Sequence, residues 1–451
     1  MARIGGVGTL FGTDGVRGVT NEELTVEMAL NLGKVMGSLR NRVAVAMDAR
    51  LSSPMLKSAV IAGITSAGAD VIDLGLAPTP ALQYYVKTKP EVNGGIVVTA
   101  SHNPREYNGI KFIQDDGREF TREMDEEAER MYRYKSFRRA DWSGVGQVFS
   151  DEYLRLYLDG IKSRVDLNAI SERKFRVVID CGNGAGSETT PQLLRELGCE
   201  VISINCHYDG RFPARNPEPT EENVGMLIEV VKSKSAVLGI AHDGDADRAT
   251  FVNEKGEFIG EDVILALVAK YYIEENGGGK FVTPVSSSRC VEDAVKEAGG
   301  EVVYTAVGSP VVAETMLKVN AVFGGEGNGG LIFPEHLHAR DGAMSTAKIL
   351  EMMAVQRKPV SELVKVVPKY YTLKTKVMCR DKILLLKGLK EEFPDANLTD
   401  GARIDFEDGW LLIRPSGTEP IARIFAEGKT DDRAKELLEM GLKSVRKILS
   451  S

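Results

Sequence analysis

Cysteine is scarce in this 451-residue chain: Cys181, Cys199, Cys206, Cys290 and Cys379 are odd in number and lack the pair spacing of a metal site. That excludes a disulfide framework or a zinc knuckle. Buried thiols in a reducing compartment, the cytoplasm, are expected instead. No apolar run approaches the roughly 20 residues of a membrane span, so no membrane partner is expected. The opening Met1-Ala2-Arg3-Ile4-Gly5-Gly6 has one basic residue and no apolar core, so a secretory signal is not expected either. Basic excess is also missing. The 57 Lys and Arg against 65 Asp and Glu leave a formal charge of −8, which argues against nucleic acid as a partner.

What the chain does have is glycine: 46 residues, about a tenth of the total where about 7% is usual. They gather after apolar runs rather than in a linker, which points to functional turns. Hydrophobic residues at 43% and charged residues at 27% make an ordinary globular balance. The length predicts about three domains, at about 150 residues each.

Strand-like runs alternate with helical stretches. Val43 to Met47 ends at Asp48-Ala49-Arg50, and Pro54 to Ala67 carries helical periodicity as far as Gly68. Val71 to Leu74 runs into the turn Ala77-Pro78-Thr79-Pro80, and Gly95 to Thr99 enters Ala100-Ser101-His102-Asn103-Pro104. The cadence returns at Phe175–Asp180, Glu200–Ile204 and Ala236–Ala241, then at Phe281–Val285, Val302–Thr305 and Ala321–Phe323. Three successive α/β units with largely parallel sheets are expected. The end differs: Arg403 to Phe406 and Trp410 to Ile413 read as a hairpin around Glu407-Asp408-Gly409, followed by a strand from Ile421 and an amphipathic helix from Asp431. That predicts a small α+β domain. The charged stretch from Arg122 to Arg139 reads as a solvated helical face.

Four loops carry candidate chemistry. In Thr99-Ala100-Ser101-His102-Asn103-Pro104, Ser101 is either a helix cap or a nucleophile and phosphate carrier, with His102 or Lys111 moving protons. No Gly-x-Ser-x-Gly elbow surrounds it, which disfavours an α/β-hydrolase. Asp243-Gly244-Asp245-Ala246-Asp247-Arg248 places three carboxylates at alternate positions, suited to one hard cation. An EF-hand fails, because Arg248 stands where the turn glycine belongs and strand-like Ala249 to Val252 follows. Arg414-Pro415-Ser416-Gly417-Thr418-Glu419-Pro420 offers a guanidinium, two hydroxyls and backbone N–H groups: a phosphate cradle or an ordinary polar turn. In Gly324-Gly325-Glu326-Gly327-Asn328-Gly329-Gly330 the glycines let backbone approach a ligand, while Glu326 and Asn328 suit sugar hydroxyls. By contrast Gly182-Asn183-Gly184-Ala185-Gly186 lacks the third glycine at dinucleotide-binding spacing and reads as a helix-start turn.

In this order the four loops, with the opening Phe11-Gly12-Thr13-Asp14-Gly15-Val16-Arg17-Gly18, resemble the α-D-phosphohexomutase superfamily through the whole chain. The resemblance implies three similar α/β domains with mixed, largely parallel sheets, and a C-terminal TATA-binding-protein-like α+β domain, around a central cleft. The expected domains are 1–150, bearing phosphoserine; 151–254, binding metal; 255–367, binding sugar; and 368–451, binding phosphate. It further implies Ser101 as phosphoserine, and Mg²⁺ held by its phosphate oxygen with Asp243, Asp245 and Asp247. Arg248 would neutralise the phosphoserine, and Arg17 and Lys111 would serve charge stabilisation and proton transfer. Glu326 and Asn328 would read the sugar, and Arg414, Ser416, Gly417 and Thr418 would clamp the distal phosphate. A sugar bisphosphate is the implied intermediate and primer, and a homo-oligomer is compatible with it.

Many relatives end the sugar loop in a histidine that assists proton transfer, where this chain has Gly330. Either His102, Lys111 or a residue such as His336 or His338 takes the role, or the step needs less help. The opening motif looks like phosphoglucosamine mutases and the Glu-Gly-Asn-Gly-Gly loop like their archaeal relatives. The expected reaction is therefore interconversion of glucosamine 6-phosphate and glucosamine 1-phosphate. Phosphomannomutase or phosphoglucomutase activity is the alternative. More remote are an aspartyl-phosphate phosphatase using Asp243, which lacks the Thr or Val expected where Asp247 stands, and a non-catalytic sugar-phosphate binder.

Overall fold

The computed structural model describes residues 10–12, 14–416 and 420–450. The chain divides into two compact units: one within Thr13–Glu261 and Asn328–Val364, the other within Met1–Gly12, Asp262–Gly327 and Lys365–Ser451.

The first unit carries a six-stranded sheet in the order Val16–Val19, Tyr107–Ile113, Gly95–Val98, Arg42–Met47, Asp70–Leu76, Val148–Ser150. The last four strands pair in parallel, while Tyr107–Ile113 runs antiparallel to both its neighbours. Val43, Ala44, Val45 and Ala46 are fully buried, the unbroken apolar run of a parallel strand covered on both faces. A second sheet has the order Phe258–Ile259, Ala249–Asn253, Leu238–His242, Arg176–Asp180, Glu200–Ile204. Arg176–Asp180 pairs in parallel with Leu238–His242 and with Glu200–Ile204, but Leu238–His242 and Ala249–Asn253 form an antiparallel hairpin whose turn is the acidic loop. The hairpin of Gly330–Phe333 and Leu337–Arg340 also belongs to this unit, followed by the helix Gly342–Gln356, which Asp341 caps.

The other unit contains the parallel strands Gly300–Thr305, Gly279–Pro284 and Phe323–Glu326. It also contains a four-stranded antiparallel sheet ordered Tyr371–Met378, Ile421–Gly428, Gly409–Pro415, Ala402–Phe406. Leu411, Ile413 and Ile424 of that sheet share a core with Leu385 and Leu389 of the helix Lys382–Glu392, and with Leu437, Val445 and Ile448 of the helix Asp431–Ser450. The expected architecture of α/β sets with mixed, largely parallel sheets and an α+β end is present.

Three differences concern local signals. The strands Val16–Val19, Tyr107–Ile113 and Tyr371–Met378 were not anticipated. Thr79 starts a helix, Thr79–Thr88, rather than closing a turn, because Pro80 fits a helix's first turn. Much of the glycine-rich stretch is strand, Phe323–Glu326 and Gly330–Phe333, leaving only Gly327-Asn328-Gly329 between them. Gly324 is buried in its strand, and a Cβ there would meet Met316 Sδ at 2.3 Å; it serves helix packing rather than ligand approach. Among the described residues no helix is long and apolar enough to cross a membrane.

Candidate active site

Four parallel strands deliver functional groups at their carboxyl ends, where open α/β sheets place their sites. Arg42–Met47 leads to Asp48 and Arg50, Asp70–Leu76 to Thr79, Gly95–Val98 to Ser101, and Leu238–His242 to Asp243. No helix starts at Ser101, so the capping reading fails. Ser101 is fully buried, in the left-handed region at φ 49°. That is a strained conformation for a non-glycine residue, maintained only when the surroundings over-determine it.

Those surroundings are built on Arg50. Its guanidinium donates to the carbonyls of Ser101 (2.8 Å), Asn103 (2.7 Å), Pro104 (2.6 Å) and Tyr107 (2.9 Å), while Nε pairs with Asp48 Oδ2 at 3.0 Å. Asp48 also accepts from Thr99 Oγ1, which in turn accepts from the Ser101 N–H. Arg17 donates to Asn103 Oδ1 at 2.7 Å and to Asp14 Oδ2 at 2.7 Å. Ser101 Oγ is thereby aimed at Asp243 Oδ2, to which it donates at 2.7 Å, with His102 Nδ1 3.3 Å away.

The acidic loop is held as firmly. Arg215 pairs with Asp180 and donates to His242 O at 2.6 Å, and the Ala185 N–H donates to Gly244 O. Asp243, Asp245 and Asp247 each offer an oxygen within 4.8 Å of the others. At least one oxygen of each is occupied. Asp243 Oδ2 accepts from Ser101, Asp245 Oδ2 from Thr79 Oγ1 (2.6 Å), and Asp247 Oδ2 from Arg340 (2.6 Å) and Lys111 (3.3 Å). Asp245 Oδ1 and Asp247 Oδ1 are buried without a hydrogen-bond partner. Two carboxylate oxygens without a hydrogen bond in one buried cluster, one of them 3.7 Å from Arg248 Nε, match the donor set of a hard divalent cation.

Burial, with Asp247 and Asp245 beside it, raises the Asp243 carboxyl well above the usual range, the expected response of crowded like charges. Asp245 responds the other way: burial opposes its charge, but Lys111 and the Thr79 hydroxyl bring it down to about 2. Burial disfavours the Lys111 ammonium, yet Asp14, Asp245, Asp247 and Glu119 outweigh that and raise it. Lys111 Nζ stands 3.0 Å from Asp14 and 3.2 Å from Asp245. Glu119 is pushed up to about 8 by burial and by Asp14. Burial, Arg248 and Arg17 depress His102 to about 2, so its imidazole is neutral.

One unit thus brings together Arg17, Ser101, His102, Lys111, Asp243, Asp245, Asp247 and Arg248. Arg248 is itself buried, its N–H donating to Asp243 Oδ1 at 3.3 Å. Asn328, in the same unit, closes its turn by accepting from the Gly330 N–H. In the other unit Glu326 is buried and accepts from the Gly308 N–H at 3.2 Å. There too Arg414 pairs with Asp400 at 2.7 Å, and Ser416 is buried. Gly417 and Thr418 lie outside the described residues. His336 is committed to structure: it contacts Asp341 at 3.2 Å and stacks on Tyr84 at 4.5 Å. His338 is half-buried, and burial with Lys87 and Arg118 lowers it. Sequence reasoning missed the parts played by Asp14, Asp48, Arg50, Thr79, Glu119 and Arg340. For Asp48, Arg50 and Thr79 a signal existed, their position just past predicted strands.

Models of the phosphoglucomutase/phosphomannomutase family match in order: α/β/α domain I over residues 8–139, domain II over 155–256, domain III over 260–371 and the C-terminal domain over 373–443. A phosphoglucomutase/phosphomannomutase of Thermococcus kodakarensis is 47% identical over 455 residues, covering 98% of this chain and 100% of that one. A probable phosphoglucosamine mutase of Methanopyrus kandleri is 42% identical, covering 98% of each chain. Among solved structures, a phosphoglucomutase/phosphomannomutase family protein from Burkholderia thailandensis aligns with a TM-score of 0.88 at 29% identity, over 97% of this chain and 98% of that one.

Proposed function

The chain belongs to the phosphoglucomutase/phosphomannomutase family, a family of phosphosugar mutases, and from that premise we propose that it interconverts glucosamine 6-phosphate and glucosamine 1-phosphate. The observation that carries the mutase chemistry is the Ser101 hydroxyl donating to Asp243 in a buried triad of aspartates, two of whose oxygens make no hydrogen bond. Phosphorylating Ser101 adds about −1.5 to −2 charge beside that triad, which Lys111, Arg17 and Arg248 and one divalent cation would balance. Asp243, Asp245 and Asp247, with a phosphate oxygen on Ser101, would hold Mg²⁺. When bound, the ion supplies electrostatic stabilisation to the transferring phosphoryl group.

In the first half-reaction the free hydroxyl of the sugar monophosphate attacks phosphorus. The bond to Ser101 Oγ breaks, leaving unmodified Ser101 and a sugar bisphosphate. The bisphosphate turns over, and Ser101 Oγ then attacks its other phosphate, regenerating phosphoserine and releasing the isomer. Arg17 fixes the serine loop through Asn103 and Asp14. Lys111, fully charged in its acidic surroundings, stabilises phosphoryl charge and holds a proton close to the reacting oxygens. The neutral imidazole of His102 stands with Nδ1 3.3 Å from Ser101 Oγ, within reach of its proton. Glu326 and Asn328 read sugar hydroxyls, and Arg414, Ser416, Gly417 and Thr418 bind the phosphate that is not being transferred. A sugar bisphosphate is the primer that loads Ser101.

Two features favour the amino sugar: the Gly-Thr-Asp-Gly-Val-Arg-Gly opening, and the 42% identity to a relative named a probable phosphoglucosamine mutase. The 47% identity to a relative named for glucose and mannose phosphates supports the second reading. The test is kcat/KM on glucosamine, glucose and mannose phosphates, each with its bisphosphate primer. The proposal expects the glucosamine phosphate to be preferred; a rate at background on that substrate overturns it.

A further inference from the structure

Arg340 belongs to none of the four loops, yet it reaches the acidic cluster from the end of the hairpin Gly330–Phe333/Leu337–Arg340. Its side chain is 4% exposed. One guanidinium nitrogen lies 2.6 Å from Asp247 Oδ2 and 3.3 Å from Asp14 Oδ2, bridging residues far apart in sequence. The chain on either side is fastened to the acidic loop by backbone bonds. The Gly342 N–H donates to Ala246 O at 3.2 Å, and the Ala249 N–H donates to Gly329 O at 3.0 Å. The stem of Arg340 lies against Gly330, where an added Cβ would meet Arg340 Cδ at 2.3 Å and Asn328 Oδ1 at 3.0 Å. Any side chain at 330 therefore displaces Arg340.

We infer that Arg340 is a positioning residue for the cation-holding cluster, and that residue 330 is glycine in order to seat it. The inference rests on the reading of the aspartate triad given above. Arg340 engages Asp247 through Oδ2, leaving Oδ1 without a hydrogen bond and 3.7 Å from Arg248 Nε. Because the same nitrogen also holds Asp14, which Arg17 and Lys111 contact, Arg340 ties the serine side of the site to the acidic loop. Partners that orient a metal ligand typically change affinity or activity by about 10–100-fold when removed.

The test uses the full-length, unphosphorylated protein, with Mn²⁺ as the probe and its free EPR signal as the readout. Mutase kinetics run beside it. Arg340→Met keeps the stem over Gly330 but removes the charge; Arg340→Lys keeps a charge. We expect Arg340→Met to weaken Mn²⁺ binding and lower kcat by about 10–100-fold, with the sugar-phosphate KM within about threefold and Arg340→Lys intermediate. Gly330→Ala should reproduce the loss, and Gly330→Ala with Arg340→Met should be no worse than Arg340→Met alone, because both act on one contact. Wild-type Mn²⁺ affinity and kcat in Arg340→Met overturn the inference, as do Gly330 and Arg340 effects that multiply. If the unsubstituted protein binds no Mn²⁺ at all, the triad reading fails first and takes this inference with it. If Asp247→Asn abolishes binding and Arg340→Met does not weaken it, only the inference fails. Thermal unfolding of each variant shows whether it folds. Should Arg340→Met not fold, the comparison of Gly330→Ala with Arg340→Lys decides.

Discussion

Replacing Arg50 by methionine tests whether the reactive serine is held from beneath, by a residue that never touches its hydroxyl. Methionine keeps an apolar stem against the Phe212 ring, 5.3 Å from the guanidinium, so packing changes little. The polar losses are large. Asp48, with no side-chain exposure, loses its ion pair, and the carbonyls of Ser101, Asn103, Pro104 and Tyr107 lose their donor. Removing one partner of a buried pair costs about 3–5 kcal/mol. Each stranded carbonyl adds up to about 1–3 kcal/mol where no water replaces the donor. Taking the pair alone, and about 2–4 °C per kcal/mol for a domain of this order of size, calorimetry should show Tm falling by about 6–20 °C. With its loop freed, Ser101 has little reason to stay at φ 49°, and a displacement of about 1 Å at the reacting atom costs about 100-fold in kcat. KM should move far less, because Arg50 contacts only the loop. A Tm fall below about 2 °C together with kcat within about threefold of the parent would refute this reasoning.

Other expectations follow from the same geometry. In unphosphorylated protein His102 is depressed to about 2, while an unfolded histidine titrates near 6.5. Its contribution to stability is therefore complete above about pH 6.5 and lost as pH falls. Between pH 7 and 5 the protein should lose about 2 kcal/mol relative to His102→Gln in urea titrations, and parallel curves would contradict the neutral imidazole. Chelating divalent cations should abolish mutase activity and lower Tm, with Mg²⁺ restoring both. Saturation at about 100 Kd is worth about 2.7 kcal/mol, and the shift should vanish in Asp245→Asn with Asp247→Asn. Arg414→Met should raise KM for sugar phosphate by about 10–100-fold with kcat nearly unchanged, because a charged hydrogen bond to a non-transferring phosphate contributes uniformly to ground and transition states.

Much of this was legible in the sequence where the signal is local. The acidic loop declares itself through alternate aspartates between two strand-like runs, and the Trp410 hairpin through its Glu-Asp-Gly turn. Tyr107–Ile113 escaped because its Asn-Gly pair has turn propensity, whereas Asn108 is buried in the strand and donates to Ser52 and Ser53. There tertiary context overrode a local signal. Asp48 and Arg50 were visible at a strand end, but nothing nearby announced that four carbonyls more than fifty residues on would fold over the guanidinium. Glu119 and Arg340 had no local signal at all. Their importance arises where distant strand ends converge on Lys111 and Asp247. The left-handed backbone at Ser101 was equally unreadable, since serine carries no propensity for it and only the Arg50 cradle accounts for it.

In the proposed reaction Ser101 carries the transferred phosphate. Intact-mass and peptide mass spectrometry after incubation with a sugar bisphosphate and Mg²⁺ tests it most directly, paired with the activity of Ser101→Ala. One phosphate is expected, on Ser101 and stable to hydroxylamine, with no mutase activity in Ser101→Ala. A hydroxylamine-labile phosphate on Asp243, or full activity in Ser101→Ala, would contradict it.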